Sequence, residues 1–347
     1  MVASLRSLVV FFAVVAAHLA VAGCATPTYA YRQIVMGVET TLTIAAPDEA
    51  TAKEAGRAAF ARLAELEAVM SDYRSDSEVM RLCATHDEAV HVSPDLFRVL
   101  EEAALVREAT DGDFDVTVGP LTKLWREARA SSTLPSPETL AEAGSRVGGD
   151  QLVLDPEAGT VLLRQSGMRI DLGGIGKGFA AAAAVATLRE HGCPQSLVAI
   201  AGDVAAGNAP PGRPAWLVKV EEPSGGSTIV RLVNASISTS GDREQWIEID
   251  GVRHSHVLDP KTGLGATTQI QVSVLGPDGG VVDALSSALS IRSVEDGLRT
   301  LERFPGYAAL FVERMPDGTP RVTKSPNWPP ERPLDRRRHE GKRTRIP

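Results

Sequence analysis

The order of helical and strand-like segments restricts the fold of this chain more than any other feature of its sequence. Helical patterns fall in four separate segments: 49–70, 93–112, about 178–191 and 281–303. Most segments from 215 to 275 instead alternate apolar and polar residues, as strands do. Helices and strands thus mix without a regular βα repeat, which predicts an α+β fold of mixed sheets and helices rather than a doubly wound fold. Because no internal repeat or clean linker divides residues 31–330, we expect one functional unit, which could consist of two packed lobes.

Residues 1–23 predict a bacterial lipoprotein signal peptide. Arg6 precedes an apolar run that ends in "VAGC", with small residues immediately before Cys24. This order resembles a lipobox, which implies cleavage before Cys24 and attachment of diacylglyceryl to its sulfur. We therefore expect a lipid-anchored, periplasm-facing protein of the bacterial cell envelope, with residues 24–30 as a linker. An ordinary signal peptide followed by an incidental Cys remains the alternative.

The charge distribution separates a basic tail from an acidic body. The chain has a formal net charge of -8, although residues 331–347 are rich in Arg and Lys. The tail composition predicts disorder, and the acidic body argues against nucleic acid as a partner. After removal of the leader, the available thiols are Cys83 and Cys193, and we predict no bridge between them. Without Cys-x-x-Cys or His-x-x-x-His spacing, a zinc site is not expected either.

A glycine-rich turn, "DLGGIGKG" (171–178), opens the third helical segment. Glycines let backbone N–H groups approach an anion closely, and the start of a helix favours negative charge. The turn is not a Walker A loop, because Asp171 stands where the first Gly is needed and Gly178 stands where Ser or Thr is needed. It also lacks the spacing of a dinucleotide-binding fingerprint. A phosphate contact and a turn required only for packing both remain open.

Three further motifs carry side chains that could bind a ligand or a metal or take part in catalysis. The stretch "TDGDFDVTVGPL" (110–121) gathers three Asp residues, which could bind a metal or ligand hydroxyls or could simply form a turn. In "RHSHVLDPKTG" (253–263), a spacing of two puts His254 and His256 on one side of a strand, near Asp259. In "VVDALSSALSI", Asp283 and Ser287 share a helical face as hard oxygen donors, although Asp283 could instead be a helix N-cap.

Seven stretches between Met36 and Leu289 occur together in one known order. They are "MGVETTLTI", "MSDYRSDSEVMRL", "TDGDFDVTVGPL", "DLGGIGKGFA", "STSGDREQW", "HVLDPKTG" and "VDALSSAL". Together they resemble the ApbE-type FAD:protein FMN transferases, whose fold is related to the T-fold. The resemblance implies a Mg²⁺-dependent enzyme that takes FAD as substrate, releases AMP and joins FMN to a Thr or Ser hydroxyl of another protein. Its recipients would be exported proteins, such as a subunit of an ion-pumping electron-transfer complex.

The resemblance also assigns roles to individual residues. The residues that would contact FAD are Met36, Tyr73, Asp113, Phe114, Asp115, Asp171, Lys177, Thr239, Ser240, Gly241 and His256. Among these, Tyr73 would stack on a ring, Lys177 would clamp charge, and 239–241 would form a loop near the phosphates. The implied Mg²⁺ ligands are Asp283, Ser287 and the main-chain carbonyl of Gly176. His256 would be the general base, with Asp259 as its orienter.

Several positions depart from the family pattern. Ser287 and Gly176 replace a usual Thr and Ala, yet both keep the implied oxygen donor. The other departures are Ala182 and Cys83, in place of Asp and Asn, and Ala199 and Ala201, where Asn and Gly are common. These changes leave the implied base and metal ligands intact. Two alternatives remain open at this point: an FAD pyrophosphatase that delivers water to give FMN and AMP, and a non-catalytic flavin-binding lipoprotein.

Overall fold

The computed structural model describes residues 26–221, 227–241, 246–315 and 317–330. The predicted signal peptide with Cys24 and the basic tail lie outside these residues. Within the described segments, no helix has both the length and the hydrophobicity needed to span a membrane.

Eight helices form in the described part of the chain. In chain order, α1 to α8 are Glu49–Met70, Glu78–Leu82, Pro94–Ala109, Gly119–Ser131, Pro137–Gly144, Gly176–Glu190, Gly279–Ser290 and Val294–Leu301. The helix predicted for 49–70 is confirmed, and Asp48 caps it by accepting the N–H of Thr51. The single helix predicted for 281–303 is wrong, because the chain leaves α7 at Ile291 and Ser293 caps α8 separately.

Seventeen strands accompany these helices. In chain order, β1 to β17 are Thr28–Val35, Val38–Ala45, Ala89–His91, Leu152–Asp155, Thr160–Leu163, Ser196–Ile200, Asp203–Ala206, Trp216–Glu221, Ser227–Leu232, Ala235–Ser240, Trp246–Ile249, Val252–Ser255, Leu258–Asp259, Leu264–Gly265, Ile270–Gly276, Ala308–Arg314 and Pro320–Lys324. Eight of them form one antiparallel sheet in the order β1-β2-β6-β7-β10-β15-β16-β17. The predicted α+β class is confirmed, since helices and antiparallel strands do not alternate as βα units.

The large sheet separates two apolar layers. Along β16, Ala309 and Phe311 face the main core, whereas Leu310 and Val312 face a smaller cluster, as the two-residue period of a strand requires. Helices α1, α6 and α7 pack side by side over the first face, and the ribbon β8–β9 covers the second. The functional motifs therefore lie where the helix layer meets the ends of the central strands.

Candidate active site

Two adjoining clefts open where the glycine-rich turn enters α6. The first, with a volume of about 350 Å³, contains most of the charged site residues and is called here the charged cleft; its wall includes Asp113, Phe114, Arg126, Asp171, Ser240, His256, Asp283 and Ser287. The second, of about 560 Å³, is called the methionine cleft, and its wall includes Met36, Val38, Met70, Asp72, Leu172 and Gly176. Three residues line both clefts: Tyr73, Gly173 and Lys177.

Lys177 lies at this junction between two buried carboxylates. Its Nζ is 2.8 Å from Asp203 and 3.4 Å from Asp283, and the N–H of Gly178 also donates to Asp283 at 3.0 Å. Burial lowers the pKa of Lys177, but Asp283 and Asp203 outweigh it and raise the pKa above its ordinary value. The ammonium is therefore fixed and charged at the point where the two clefts meet.

Asp283 and Ser287 reach the charged cleft from one face of α7. Since α7 begins at Gly279, Asp283 lies in the second turn, and the alternative reading of Asp283 as a helix N-cap is wrong. Burial and the neighbouring Asp203 raise the pKa of the Asp283 carboxyl. Ser287 contacts the hydroxyl of Ser240 at 3.3 Å, so a second oxygen donor stands beside it.

The donor set fits a small divalent cation that keeps most of its waters. Asp283 and Ser287 offer hard oxygens, which suit Mg²⁺, and the described residues contain no cluster of three His, Cys, Asp or Glu side chains for another metal. Gly174 leaves room beside Ser287, since an added Cβ would stand 3.2 Å from the Phe114 ring and 3.3 Å from the Ser287 hydroxyl. Gly176, the third predicted ligand, is the first residue of α6 and lines the methionine cleft.

The two histidines predicted to share one side of a strand are separated. His254 is a buried strand residue whose Nδ1 lies 3.0 Å from the Gly265 carbonyl and whose ring packs on Trp125. Because β12 ends at Ser255, the alternation stops there, and His256 lines the charged cleft instead. Of the two, only His256 stands where a base could reach a bound substrate.

Asp259 lies three residues after His256 and holds a turn of the chain. Its carboxylate accepts the N–H of Lys261 at 2.9 Å, and its carbonyl accepts the N–H of Gly263. These bonds close the turn around Pro260 and keep Asp259 out of the wall of the charged cleft. Asp259 thereby shapes the loop that follows His256, and its role as the orienter of His256 stays a prediction.

The acidic turn is a wall of the charged cleft whose carboxylates have internal partners. Asp113 pairs with Arg292 and with Lys261, the latter at 2.5 Å. Asp115 pairs with Arg107 at 2.8 Å and accepts the Thr117 hydroxyl at 2.6 Å. Phe114 lies between these two acids and gives the wall its apolar surface.

Met36 and Asp171 frame the two clefts from backbone turns. Met36 and Gly37 form the two-residue connection of the β1–β2 hairpin, with φ angles of 51° and 74°. A non-glycine residue in this left-handed region costs about 1 kcal/mol or more, so its position is imposed by the tight hairpin. Asp171 accepts the N–H of Gly173 at 2.8 Å and thereby holds the glycine-rich turn. Burial, and secondarily Asp72, raise the pKa of Asp171.

Residues 239–241 were expected to form a loop, but Thr239 and Ser240 end a central strand and Gly241 follows it. Thr239 and Ser240 are the last residues of β10, so their side chains point in opposite directions. Ser240 lines the charged cleft, whereas the Thr239 hydroxyl contacts Ser273 on β15 at 2.8 Å and lies away from it. Gly241 has φ 147°, and an added Cβ would lie 2.7 Å from the carbonyl of Ile270.

Sequence reasoning missed three charged residues of this site, namely Asp72, Arg126 and Asp203. Asp203 is buried at the start of β7, directly after the β6–β7 turn, and bonds Lys177. Arg126 on α4 pairs with Asp72 and extends toward Asp171. For Asp203 a signal was present, because a lone carboxylate stands between apolar strand residues in "VAIAGDVAA". No local pattern connects Arg126 to residues 54 and 45 positions away.

Comparisons with known proteins identify the family of the chain. The model of the ApbE family matches residues 36–311. The chain is 34% identical over 272 residues to the FAD:protein FMN transferase of Treponema pallidum, covering 73% of this chain and 75% of that protein. It is 30% identical over 289 residues to the enzyme of that name from Haemophilus influenzae, covering 80% and 82%.

Solved structures with the same fold include two flavin transferases. The apo form of the flavinyl transferase ApbE from Pseudomonas stutzeri superposes with a TM-score of 0.78 at 28% identity, covering 86% of this chain and 95% of that one. The flavin transferase ApbE from Vibrio cholerae gives a TM-score of 0.75 at 28% identity, with 86% and 98% covered. The fold is thus shared along most of each chain.

Proposed function

The chain belongs to the ApbE family and is an FAD:protein FMN transferase, and from this premise we propose the reaction that it performs. It transfers FMN from FAD to the hydroxyl of a Thr or Ser on an exported protein, releases AMP and depends on Mg²⁺. The observation that carries this proposal is Lys177, whose ammonium stands at the junction of two clefts between buried carboxylates. A fixed cation at this point suits a pyrophosphate whose two organic halves extend in different directions.

FAD would lie across both clefts. The pyrophosphate meets Lys177 and the glycine-rich turn at the junction, where backbone N–H groups and the start of α6 also favour an anion. Its two ring systems then occupy the charged cleft and the methionine cleft, whose volumes of about 350 and 560 Å³ match ligand-sized cavities. Tyr73, which lines both clefts, is available for ring stacking.

The reaction is a displacement at the phosphorus of the FMN half. The recipient's hydroxyl oxygen forms a new bond to that phosphorus, the pyrophosphate bond breaks, and AMP leaves with the bridging oxygen. His256 takes the proton of the attacking hydroxyl, and Lys177 neutralises charge on the phosphate oxygens. Asp283 and Ser287 would hold Mg²⁺, which supplies additional charge neutralisation when bound.

The leader sequence is the basis for the location of the protein and so restricts its recipients. Cleavage before Cys24 and lipidation of its sulfur would anchor the protein in the bacterial envelope, facing the periplasm. A recipient there is an exported protein, such as a subunit of an ion-pumping electron-transfer complex. Residues 1–24 of the sequence support the location, and the family resemblance supports the kind of recipient.

Incubation of the protein with FAD, Mg²⁺ and a candidate recipient tests the proposal. Mass spectrometry should find the mass of FMN on a Thr or Ser of the recipient, and AMP should appear in equal amount. Rapid formation of free FMN and AMP without any recipient would identify a pyrophosphatase instead. FAD that is bound but neither cleaved nor transferred would identify a non-catalytic flavin-binding protein.

Two substitutions test the residue roles within that assay. His256→Ala should abolish transfer while FAD binding persists, whereas His86→Ala, at an exposed position, controls for the loss of an imidazole. Asp283→Ala should remove both activity and its dependence on Mg²⁺. Full activity of His256→Ala, or an unchanged Mg²⁺ requirement of Asp283→Ala, would refute the corresponding assignment.

A further inference from the structure

Tyr73 stands on the junction of the two clefts as an unusually exposed aromatic ring. It follows the C-terminus of α1, lines both clefts and is 80% exposed. An aromatic side chain with so few packing neighbours can adopt several rotamers. It would lose this conformational entropy on stacking against a ligand. Something must therefore hold the ring if it is to serve as a stacking surface at low entropic cost.

Arg126 supplies that constraint. Its guanidinium carbon lies 4.4 Å from the centroid of the Tyr73 ring and so covers the ring at cation–π distance. The guanidinium is itself fixed, because one nitrogen donates to Asp72 at 2.5 Å and another lies 3.6 Å from Asp171. Both carboxylate side chains are about nine-tenths buried, at 9% and 10% exposure.

The contacts of Arg126 with Tyr73, Asp72 and Asp171 join three separate parts of the chain. Arg126 lies on α4, Asp72 and Tyr73 follow α1, and Asp171 begins the glycine-rich turn. The Arg169 guanidinium also donates to the carbonyl of Asp72 at 2.8 Å, which fixes the backbone beside the ring. The position of the ring is therefore tied to the turn that carries Lys177.

We propose that Arg126 is a positioning residue that sets the affinity for FAD by holding Tyr73 as a stacking surface for one of the flat ring systems. The inference rests on the proposed function, since it presumes that FAD is the ligand. Arg126 acts through Tyr73 and not as a direct phosphate clamp, because its guanidinium fork is already directed at two carboxylates. Preorganisation of a ring in its bound position improves affinity by reducing the ordering required on binding.

A guanidinium is needed for this role, and a positive charge alone does not fill it. The planar group can stack on an aromatic face while its edge donates to carboxylates, which a lysine ammonium cannot do. Arg126→Lys keeps the charge between Asp72 and Asp171 but removes the stacked plane. Arg129→Ala offers a matched charge deletion, because Arg129 lies one turn further along α4 and lines the same cleft.

The experiment measures the dissociation constant of FAD for a set of variants of the full chain. Arg126→Ala and Arg126→Lys should both weaken FAD binding, on the order of threefold to tenfold, and the loss should appear in KM for FAD rather than in kcat. Tyr73→Phe should bind as wild type does. In a Tyr73→Leu background, which leaves the ion pairs intact, Arg126→Lys should produce no further loss. Arg129→Ala shows how much the loss of one positive charge from this cleft alone changes the dissociation constant of FAD.

Optical signals identify which ring is stacked. If the isoalloxazine stacks on Tyr73, its fluorescence on binding should be less quenched in Tyr73→Leu and in Arg126→Lys. If the adenine stacks there, the flavin signal should stay unchanged while the affinity for AMP falls in both variants. Wild-type affinity in Arg126→Lys, or an equal loss in the presence and absence of the Tyr73 ring, would overturn the proposal. Wild-type protein that binds FAD but transfers nothing would contradict the proposed function and leave this inference standing.

Discussion

The position of the Lys177 ammonium depends on Asp203, a residue that none of the sequence motifs identified. Asp203→Asn removes the 2.8 Å ion pair while keeping the side-chain shape, so the ammonium is left with Asp283 alone. Asp283 is then less available to a cation, and we expect transfer to fall about tenfold to a hundredfold, in line with a lost charged hydrogen bond. The rate measured against Mg²⁺ concentration should also shift to higher Mg²⁺.

Asp150→Asn serves as the control for Asp203→Asn, because it removes a carboxylate whose side chain is 72% exposed. It should leave both the rate and the Mg²⁺ requirement of transfer as in wild type. If Asp203→Asn behaved in the same way, Lys177 would not depend on Asp203 for its position.

Glu102 should make the stability of the protein depend on pH. Burial raises the pKa of its carboxyl to about 7, and its Oε2 has no hydrogen-bond partner among the described residues. The folded protein therefore holds a proton that the unfolded chain releases above about pH 4.3, so stability falls as pH rises from about 4.5 to 7. Relative to wild type, Glu102→Gln should gain on the order of 2 kcal/mol in free energy of unfolding between pH 5 and pH 8.

Urea unfolding at pH 5 and pH 8 measures that difference. Glu101→Gln, on the exposed side of the same turn of α3, corrects for the loss of one negative charge. If wild type and Glu102→Gln changed stability equally between the two pH values, Glu102 would not be the group that takes up the proton.

At the level of elements, the approach of α6 to α7 decides the geometry of the site. An added Cβ on Gly178 would stand 2.1 Å from the Gly279 carbonyl and 2.7 Å from the Cβ of Asp283. Gly178→Ala must therefore push the helices apart, which should cost on the order of 2 kcal/mol of stability and displace Asp283. The rate of FMN transfer should fall by more than the decrease in folded protein accounts for. A thermal melt gives the folded fraction, and an activity assay at the same temperature gives the rate.

Gly144→Ala is the matched control for Gly178→Ala. Gly144 also lies in a helix, but an added Cβ there would meet nothing within 4 Å. This variant should be neutral or more stable by roughly 0.5–1 kcal/mol, because Ala favours a helix over Gly. A Gly178→Ala protein as stable and active as Gly144→Ala would show that the two helices can separate without consequence.

Elements with local signals were predictable from the sequence, and those fixed by distant contacts were not. The helix from Glu49 to Met70 has both an apolar face and an Asp cap, and its bounds were predicted correctly. Helix α4, from Gly119 to Ser131, has no side-chain cap at its start and was missed. The start of α6 was placed two residues late, because the last three residues of the glycine-rich turn, 176–178, already belong to that helix.

The same distinction explains the site residues. Helical spacing alone puts Asp283 and Ser287 on one face, but the family resemblance was needed to name them as predicted Mg²⁺ ligands. The partnership of Lys177 with Asp203, and that of Arg126 with Tyr73, join residues from different elements, so no spacing rule could identify them. The end of β12 after Ser255 could not be read from the sequence, so the expectation that His254 and His256 share one side of a strand was wrong.

At the scale of the whole molecule, the site lies between the helices and the sheet and is built from residues of several elements. Residues from the β1–β2 hairpin, the segment after α1, the acidic turn, α6, the end of β10 and α7 all meet there. A ligand lying across both clefts would contact these elements together and would bind only the folded chain. Its binding should therefore stabilise the entire fold and not one local segment.

This expectation leads to a test of FAD and Mg²⁺ by their effect on unfolding. At a concentration of 100 times its Kd, FAD should raise the free energy of unfolding by about 2.7 kcal/mol. If Asp283 and Ser287 hold Mg²⁺ beside the pyrophosphate, adding Mg²⁺ should increase that stabilisation, and removing it with a chelator should reverse the increase. In Asp283→Asn the Mg²⁺ increment should vanish while stabilisation by FAD alone persists, because Lys177 keeps Asp203 as its partner. An equal Mg²⁺ increment in wild type and Asp283→Asn would mean that the cation binds elsewhere. At the same concentration as FAD, AMP should stabilise the protein less, because it fills only one cleft and binds more weakly.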